Sequence, residues 1–344
     1  MPVRRLMHLK NNAKKIEIDM ANKFFVAPSP HVHSAQSTQS LMRDVLIALL
    51  PALAVSVWVY GLNVLLVTAV AVISCVLFEF LIQKYLIKGP GTIYNLSAVV
   101  TGVLLAFNLP SNIPVWIIVI GAAVAIGVAK MTFGGLGRNP FNPALVGRVF
   151  LLIAYPVQMT SFPQPASNQF VDAFSGATPL AAVKANLVEV GDVNLLNMLS
   201  GMMPGSLGEI ASLALILGGL YMLWRKVITW HIPVAVLGSM ALFAVVVAFM
   251  KGGGSLFYEL PAFHLMAGGA LLGAIFMATD YVTSPMTHKG MLIYGVGIGV
   301  ITMIIRLWGA YPEGMSFAIL LMNAVTPLIN KYVKPKRFGL MSVK

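Results

Sequence analysis

The chain has 344 residues, of which 58% are hydrophobic and only 10% charged, with a mean hydropathy of +0.85. Soluble domains carry about 25% charged residues, so this chain cannot cover a water-facing surface and reads as a polytopic membrane protein. Its net charge of +12 needs no nucleic-acid partner once the basic residues are assigned to membrane ends.

Residues 1–43 form a polar, basic tail (Arg4, Arg5, Lys10, Lys14, Lys15, Lys23 and Arg43) without the apolar core of a signal peptide. It is expected on the cytoplasmic side. His31 and His33 in this tail have no third ligand near in sequence, and two histidines make a poor metal site. A first membrane half, 44–157, follows, with predicted spans at 44–61, 64–87, 92–109, 113–131 and 141–157. It contains the single cysteine, Cys75, so the chain holds neither a disulfide framework nor an iron–sulfur cluster of its own. Electron transfer, if present, requires an organic cofactor, since haem ligation by His231 and His264 is disfavoured.

A polar stretch, 158–206, separates this half from a second one, 207–332, with predicted spans at 207–224, 231–250, 262–279, 290–307 and 314–332. A basic tail, 333–344, closes the chain. With the N-terminus inside, alternation places Lys84, Lys88, Lys130, Arg138, Arg225, Lys226, Lys289 and the basic C-terminus in the cytoplasm. The outside receives only Lys184, Lys251 and Arg306. This asymmetry follows the positive-inside rule and makes 158–206 an external segment.

The two halves share a pattern. Asn95-Leu96-Ser97-Ala98 opens a span in the first, and His264-Leu265-Met266-Ala267 is its expected counterpart. Gly134-Gly135 before Asn139-Pro140-Phe141-Asn142-Pro143 corresponds to Gly309-Ala310-Tyr311-Pro312 before Met315-Ser316. Five spans per half make the repeats inverted, an arrangement that places a site near the midplane. The expected fold is all-α, with about ten transmembrane helices in two inverted five-helix repeats.

Within the external segment, Ser175-Gly176-Ala177-Thr178-Pro179 carries the most specific chemistry. Thr178 precedes a proline and so favours extended backbone; Pro179 suits the first turn of a helix. Thr178 is therefore an N-cap candidate, flanked by small residues that leave its hydroxyl unobstructed. A phosphate there would meet free N–H groups. Thr326-Pro327-Leu328 repeats the Thr-Pro-Leu element without the preceding Ser-Gly-Ala. The full Ser-Gly-Ala-Thr run is expected by chance in roughly one chain of this length in a hundred.

Asp172 to Leu180 resembles the flavinylation site of the family that contains the D component of the Rnf complex and the B component of the sodium-translocating NADH:quinone reductase. Ser29-Pro30-His31, Leu49-Leu50-Pro51-Ala52, the run Gly137 to Arg148 and the run Ala278 to Pro285 resemble other segments of that family. The resemblance implies FMN joined to Thr178 by a phosphoester bond, made by a separate flavin transferase. It also implies a second flavin, riboflavin, for which Asn139, Asn142 and Arg148 are candidate contacts, or else helix-end hydrogen-bonding residues. The implied partners are the membrane and peripheral subunits of an Rnf-type complex, including an external flavin-bearing subunit. The implied location is the bacterial or archaeal inner membrane. The implied activity is ion-translocating ferredoxin:NAD⁺ oxidoreduction, with Na⁺ or H⁺ moved.

This chain lacks a nucleotide-binding glycine fingerprint, so NAD⁺ belongs to another subunit. Candidates for an ion path are Glu79, inside the second predicted span, which alternatively pairs with Gln83, and Asp280, at a predicted cytoplasmic boundary, which alternatively serves a helix end. Asp44 is expected as a charge at a helix N-terminus. The competing reading is a small-solute channel or transporter on the same inverted-repeat fold, without redox chemistry.

Overall fold

The computed structural model describes residues 37–88, 92–165 and 175–334. Long apolar runs without interruption give four helices long and apolar enough to cross a bilayer: α1 (Thr38–Tyr60), α2 (Asn63–Leu81, continued by π-helical turns to Ile87), α10 (His231–Met250) and α13 (His288–Trp308). A further apolar segment, long enough for a crossing when taken together, is bent by 63° between α11 (Leu256–Met266) and α12 (Ala270–Leu272, continued to Met277). Shorter apolar helices are α3 (Ser97–Phe107), α4 (Val115–Ala123, continued to Met131), α5 (Pro143–Ala154) and α9 (Ser212–Trp224). The last is α14 (Met315–Tyr332). Every predicted span coincides with one of these segments. Between the halves lie α6 (Pro156–Thr160), β1 (Phe162–Pro163), β2 (Ser175–Gly176), α7 (Pro179–Lys184) and α8 (Leu195–Ser200).

Side-chain partners fix the relation between the halves. Asp44 near the start of α1 accepts from Tyr221 and Arg225 at the end of α9, at 3.3 and 3.2 Å. Ser56 near the end of α1 donates to the Leu207 carbonyl just before α9 at 2.5 Å. The first helices of the two halves are thus antiparallel neighbours. The fifth helices, α5 and α14, are likewise antiparallel: Arg148 in mid-α5 donates to Ser316 at the start of α14, while Asn142 before α5 lies beside Asn323 further along α14. Within each half the second and fourth helices pack together, α2 on α4 and α10 on α13. These are the pairings of an inverted repeat. Asp44 is consequently a bridge between halves rather than a first-turn charge, because α1 begins six residues earlier than the predicted span.

Close packing in a bilayer relies on small residues, since lipid tails are as apolar as the side chains they would replace. A Cβ on Gly295 of α13 would lie 2.6 Å from the Ala235 Cβ of α10.

The third segment is broken in both halves. In the first, Leu96 takes a left-handed conformation (φ 59°) and α3 starts at Ser97. In the second, Gly268 and Gly269 (φ 65° and 64°) separate α11 from α12. His264 therefore ends a helix that began at Leu256 instead of opening one. The structural counterpart of Leu96 is Gly269. At about 1.5 Å per residue, the 11 residues of α3 span roughly half of a 30 Å hydrocarbon core, so its end lies at depth. There Asn108, just past α3, approaches the Met277 sulfur at the end of the α12 segment (3.7 Å).

Candidate functional site

The two short strands pair antiparallel, Phe162 opposite Gly176 and Pro163 opposite Ser175. The chain leaves β2 through exposed Ala177. Thr178 is extended (φ −61°, ψ 152°), Pro179 occupies the first turn of α7, and Thr178 Oγ1 accepts from the Ala181 N–H at 3.2 Å. The expected N-cap is present, but Thr178 is only 2% exposed, against the expectation of an unobstructed hydroxyl. Next to it, Leu180 clusters with Met198, Phe263 and Ala267 and so seats α7 on the end of α11. Residues 166–174, including Asp172 and Phe174 of the motif, lie outside the described residues, as do His31 and His33.

Thr178 nevertheless borders a cavity of about 130 Å³, whose wall also contains Ala177, Arg148, Tyr311, Glu313 and Phe317. Tyr311 and Phe317 stack with ring centroids 5.1 Å apart. Arg148 is buried; it donates to Asn108 Oδ1 within its own half at 2.8 Å, and across the halves to Ser316 Oγ at 2.9 Å and to the Glu313 carboxylate. Lys184 at the end of α7 donates to the carbonyls of Tyr311 (2.8 Å) and Ile305 (3.1 Å); desolvation there lowers its pKa from the usual lysine value. These bonds tether the inter-half segment to the approach to α14.

The three candidate contacts of a second flavin do not share one pocket. Asn139 and Asn142 border a different cavity, of about 100 Å³, together with Ser97, Thr101, Lys130 and Asp280. Asn142 caps α5, accepting from Ala144 N at 3.1 Å, and donates to the Met277 carbonyl at 3.2 Å. Asn139 donates to the Phe141 carbonyl at 3.0 Å. Asn142 thus bonds at a helix end and ties α5 to the second half, while the Asn139 bond lies within the loop before α5.

Glu79 is 1% exposed and pairs with Lys130 at 2.5 Å. Its other oxygen accepts from Thr92 at 2.9 Å, and Gln83 reaches it only through Thr92. Lys130 also donates to Ser97 Oγ at 2.8 Å. Charge alternation predicts Lys130 as a solvated charge at a membrane end; it is instead buried. Asp280 follows the α12 segment. It accepts from Thr283 at 3.3 Å and borders the cavity that Lys130 also lines. Burial raises its carboxyl pKa, while hydrogen bonds from Val282 and Thr283 and the Lys130 charge oppose that rise. The two candidate ion-path acids, far apart in sequence, thus share one lysine: Glu79 pairs with it, and Asp280 borders a cavity that it also lines.

Alternation likewise predicts Arg306 as a solvated flanking charge, at the opposite end. It is buried and donates to the carbonyls of His264 (2.5 Å), Ala267 (2.7 Å) and Gly268 (3.2 Å), with its Nε on the Glu313 carbonyl (3.0 Å). Gly268 permits this approach, since a Cβ there would lie 2.6 Å from the guanidinium. Glu209, buried before α9, accepts from Ser206 N and Oγ at 3.3 and 3.2 Å. Residue spacing alone could have found this pair, because Ser-x-x-Glu is a capping signal. No local signal distinguishes Lys130 or Arg306 from membrane-end charges.

Broken third segments, inverted halves and buried ionisable groups beside the breaks define a polytopic membrane protein of the kind that moves small charged species. The NQR2, RnfD, RnfE family model matches residues 25–339, and this chain belongs to that family. It is 48% identical over 322 residues to the D component of the Na⁺-translocating ferredoxin:NAD⁺ oxidoreductase complex of Acetobacterium woodii, covering 93% of this chain and 96% of the relative. It is 43% identical over 326 residues to the D component of the proton-translocating ferredoxin:NAD⁺ oxidoreductase complex of Clostridium ljungdahlii, covering 92% and 97%. It is 38% identical over 327 residues to the D component of the ion-translocating oxidoreductase complex of Ectopseudomonas mendocina, covering 90% and 94%. Relatives of similar identity carry different ion names, so relatedness does not fix the ion.

Proposed function

We propose that this chain is the membrane subunit of an ion-translocating ferredoxin:NAD⁺ oxidoreductase complex and carries FMN as a phosphoester on Thr178, as an electron relay. The observation that supports the attachment is the placement of Thr178: its side chain caps α7 and its residue forms part of a cavity wall opened by exposed Ala177. The residues present suit the group. Arg148, its charge balanced by Glu313, lies on the same wall, and Tyr311 and Phe317 supply aromatic surface. The Ala181 N–H that Thr178 now holds is a donor to the same oxygen. When bound, the flavin would accept and pass electrons singly or in pairs.

This chain's own residues hold the relay in place. Lys184 fixes α7 to the approach to α14. The Arg148–Glu313 pair keeps the cavity wall near neutrality by compensating the carboxylate. Basic residues concentrated at one set of helix ends put the termini in the cytoplasm and the Thr178 segment outside. In this reading Glu79 and Asp280 belong to the ion path, with Lys130 as the fixed countercharge near both. Riboflavin, if a second flavin is held, would meet Asn139 and Asn142 but not Arg148, which borders the other cavity.

The test is a denaturing gel of the protein purified from its native host, read for flavin fluorescence and by intact mass. The expected result is one FMN-sized mass increment and a fluorescent band, both absent in Thr178→Val. A dark band of unmodified mass from the native host overturns the attachment.

A further inference from the structure

We propose that the gap between α9, α10 and α11 seats one acyl chain of an anionic phospholipid, whose headgroup is held at the α9–α10 turn by Lys226. The gap is a cavity of about 430 Å³. Every side chain on its wall is apolar, including Leu220 and Leu223 of α9, Val234 and Leu237 of α10, and Leu265 and Ile275 of the broken segment. Its wall on α9 runs from Ile216 to Leu223, roughly 10 Å along a helix axis at 1.5 Å per residue.

The repeat makes this gap conspicuous. In the first half α1 and α2 pack directly on each other; their counterparts α9 and α10 enclose the gap instead. A void of this size within the hydrocarbon forfeits dispersion contacts on all its walls, and the surrounding solvent is hydrocarbon, so an acyl chain is the filling at hand. The chemistry at its end selects the lipid. Trp224 and Trp230 flank the turn, 78% and 54% exposed, at the depth where amphipathic rings meet headgroups. Between them lie exposed Lys226, three residues past Leu223, and Arg225, whose guanidinium is half exposed and shared with Asp44. Basic residues at headgroup depth beside an apolar slot favour an anionic headgroup over a zwitterionic one.

The full chain offers its own reporters. Of its five tryptophans, Trp58, Trp116 and Trp308 sit at the opposite helix ends, so replacing them with Phe leaves Trp224 and Trp230 to report on the slot. In bilayer nanodiscs, phosphatidylglycerol brominated on its acyl chains should quench their fluorescence at least twofold more than equally brominated phosphatidylcholine at equal mole fraction. Lys226→Glu should abolish that preference, and Leu220→Phe with Leu237→Phe should weaken quenching by both lipids. Equal quenching by the two lipids, or a preference that survives Lys226→Glu, overturns the proposal. So does a photo-crosslinker at Leu220 that, in the intact native complex, labels a neighbouring subunit rather than phospholipid.

Discussion

Both halves of this protein break their third segment, and both close a buried cation onto the break, yet they neutralise that cation differently. In the second half Arg306 meets the carbonyls of His264, Ala267 and Gly268. These are the unpaired carbonyls at the C-terminus of α11, the negative end of a helix, where a cation is favoured. In the first half the segment before the break is a single 3₁₀ turn, Ile93–Asn95, which offers no comparable set of carbonyls. Lys130 instead lies at the start of α3, the positive end of a helix, and is balanced by a full carboxylate, Glu79. The same architectural task is met by backbone dipoles where a helix supplies them and by an acid where none does.

That contrast is most sharply tested by removing the acid. Glu79→Ala leaves an uncompensated buried ammonium and should destabilise the protein by about 3–5 kcal/mol, measured by unfolding in mixed detergent micelles. Glu79→Leu combined with Lys130→Met should recover most of that loss. Equal instability of the double variant would mean that the pair is not what compensates the lysine. Glu79→Gln bears on function: pumping by the intact complex should fall more than electron transfer, and unchanged pumping would remove Glu79 from the ion path.

Next in size, Arg306→Lys keeps the charge but not the planar fork that reaches several carbonyls. It should cost about 1–3 kcal/mol, the penalty of leaving a buried carbonyl unsatisfied. No loss would show that charge alone, rather than carbonyl satisfaction, holds the second break.

The inter-half segment has no counterpart in the repeat, and it permits a cleaner separation of roles. Thr178→Asn retains an N-cap of similar strength, so stability should stay within about 0.5 kcal/mol while flavin is lost completely. Thr326→Val is the control and should leave flavin untouched. Although Thr326 carries the same Thr-Pro-Leu sequence, it lies inside α14 and donates to the Met322 carbonyl at 3.0 Å.

The smallest effect is expected at Asp280. Burial raises its pKa in the folded state, so its protonated form is favoured there, and its contribution to stability is greatest below the unfolded value and declines as pH rises through the folded one. Asp280→Asn should therefore raise the melting temperature slightly at pH 7, and the difference should vanish below about pH 4. An increase that persists at low pH would point to a steric rather than an ionisation effect.

Hydropathy made the membrane class and the apolar helical segments legible, because each crossing must bury its backbone within a contiguous apolar run. The Ser175-to-Pro179 run likewise announced an N-cap, since capping depends on neighbours within three residues. What the tertiary structure alone decided was which charges are buried. Glu79 meets Lys130 from 51 residues away, and Arg306 meets His264 from 42 away. A lysine or arginine at the end of an apolar run reads the same whether it snorkels to water or turns inward. The same limit applies to Thr178. Its cap was local and predictable, but its burial was not; the adjacent Leu180 clusters with Phe263, in a helix more than 80 residues later.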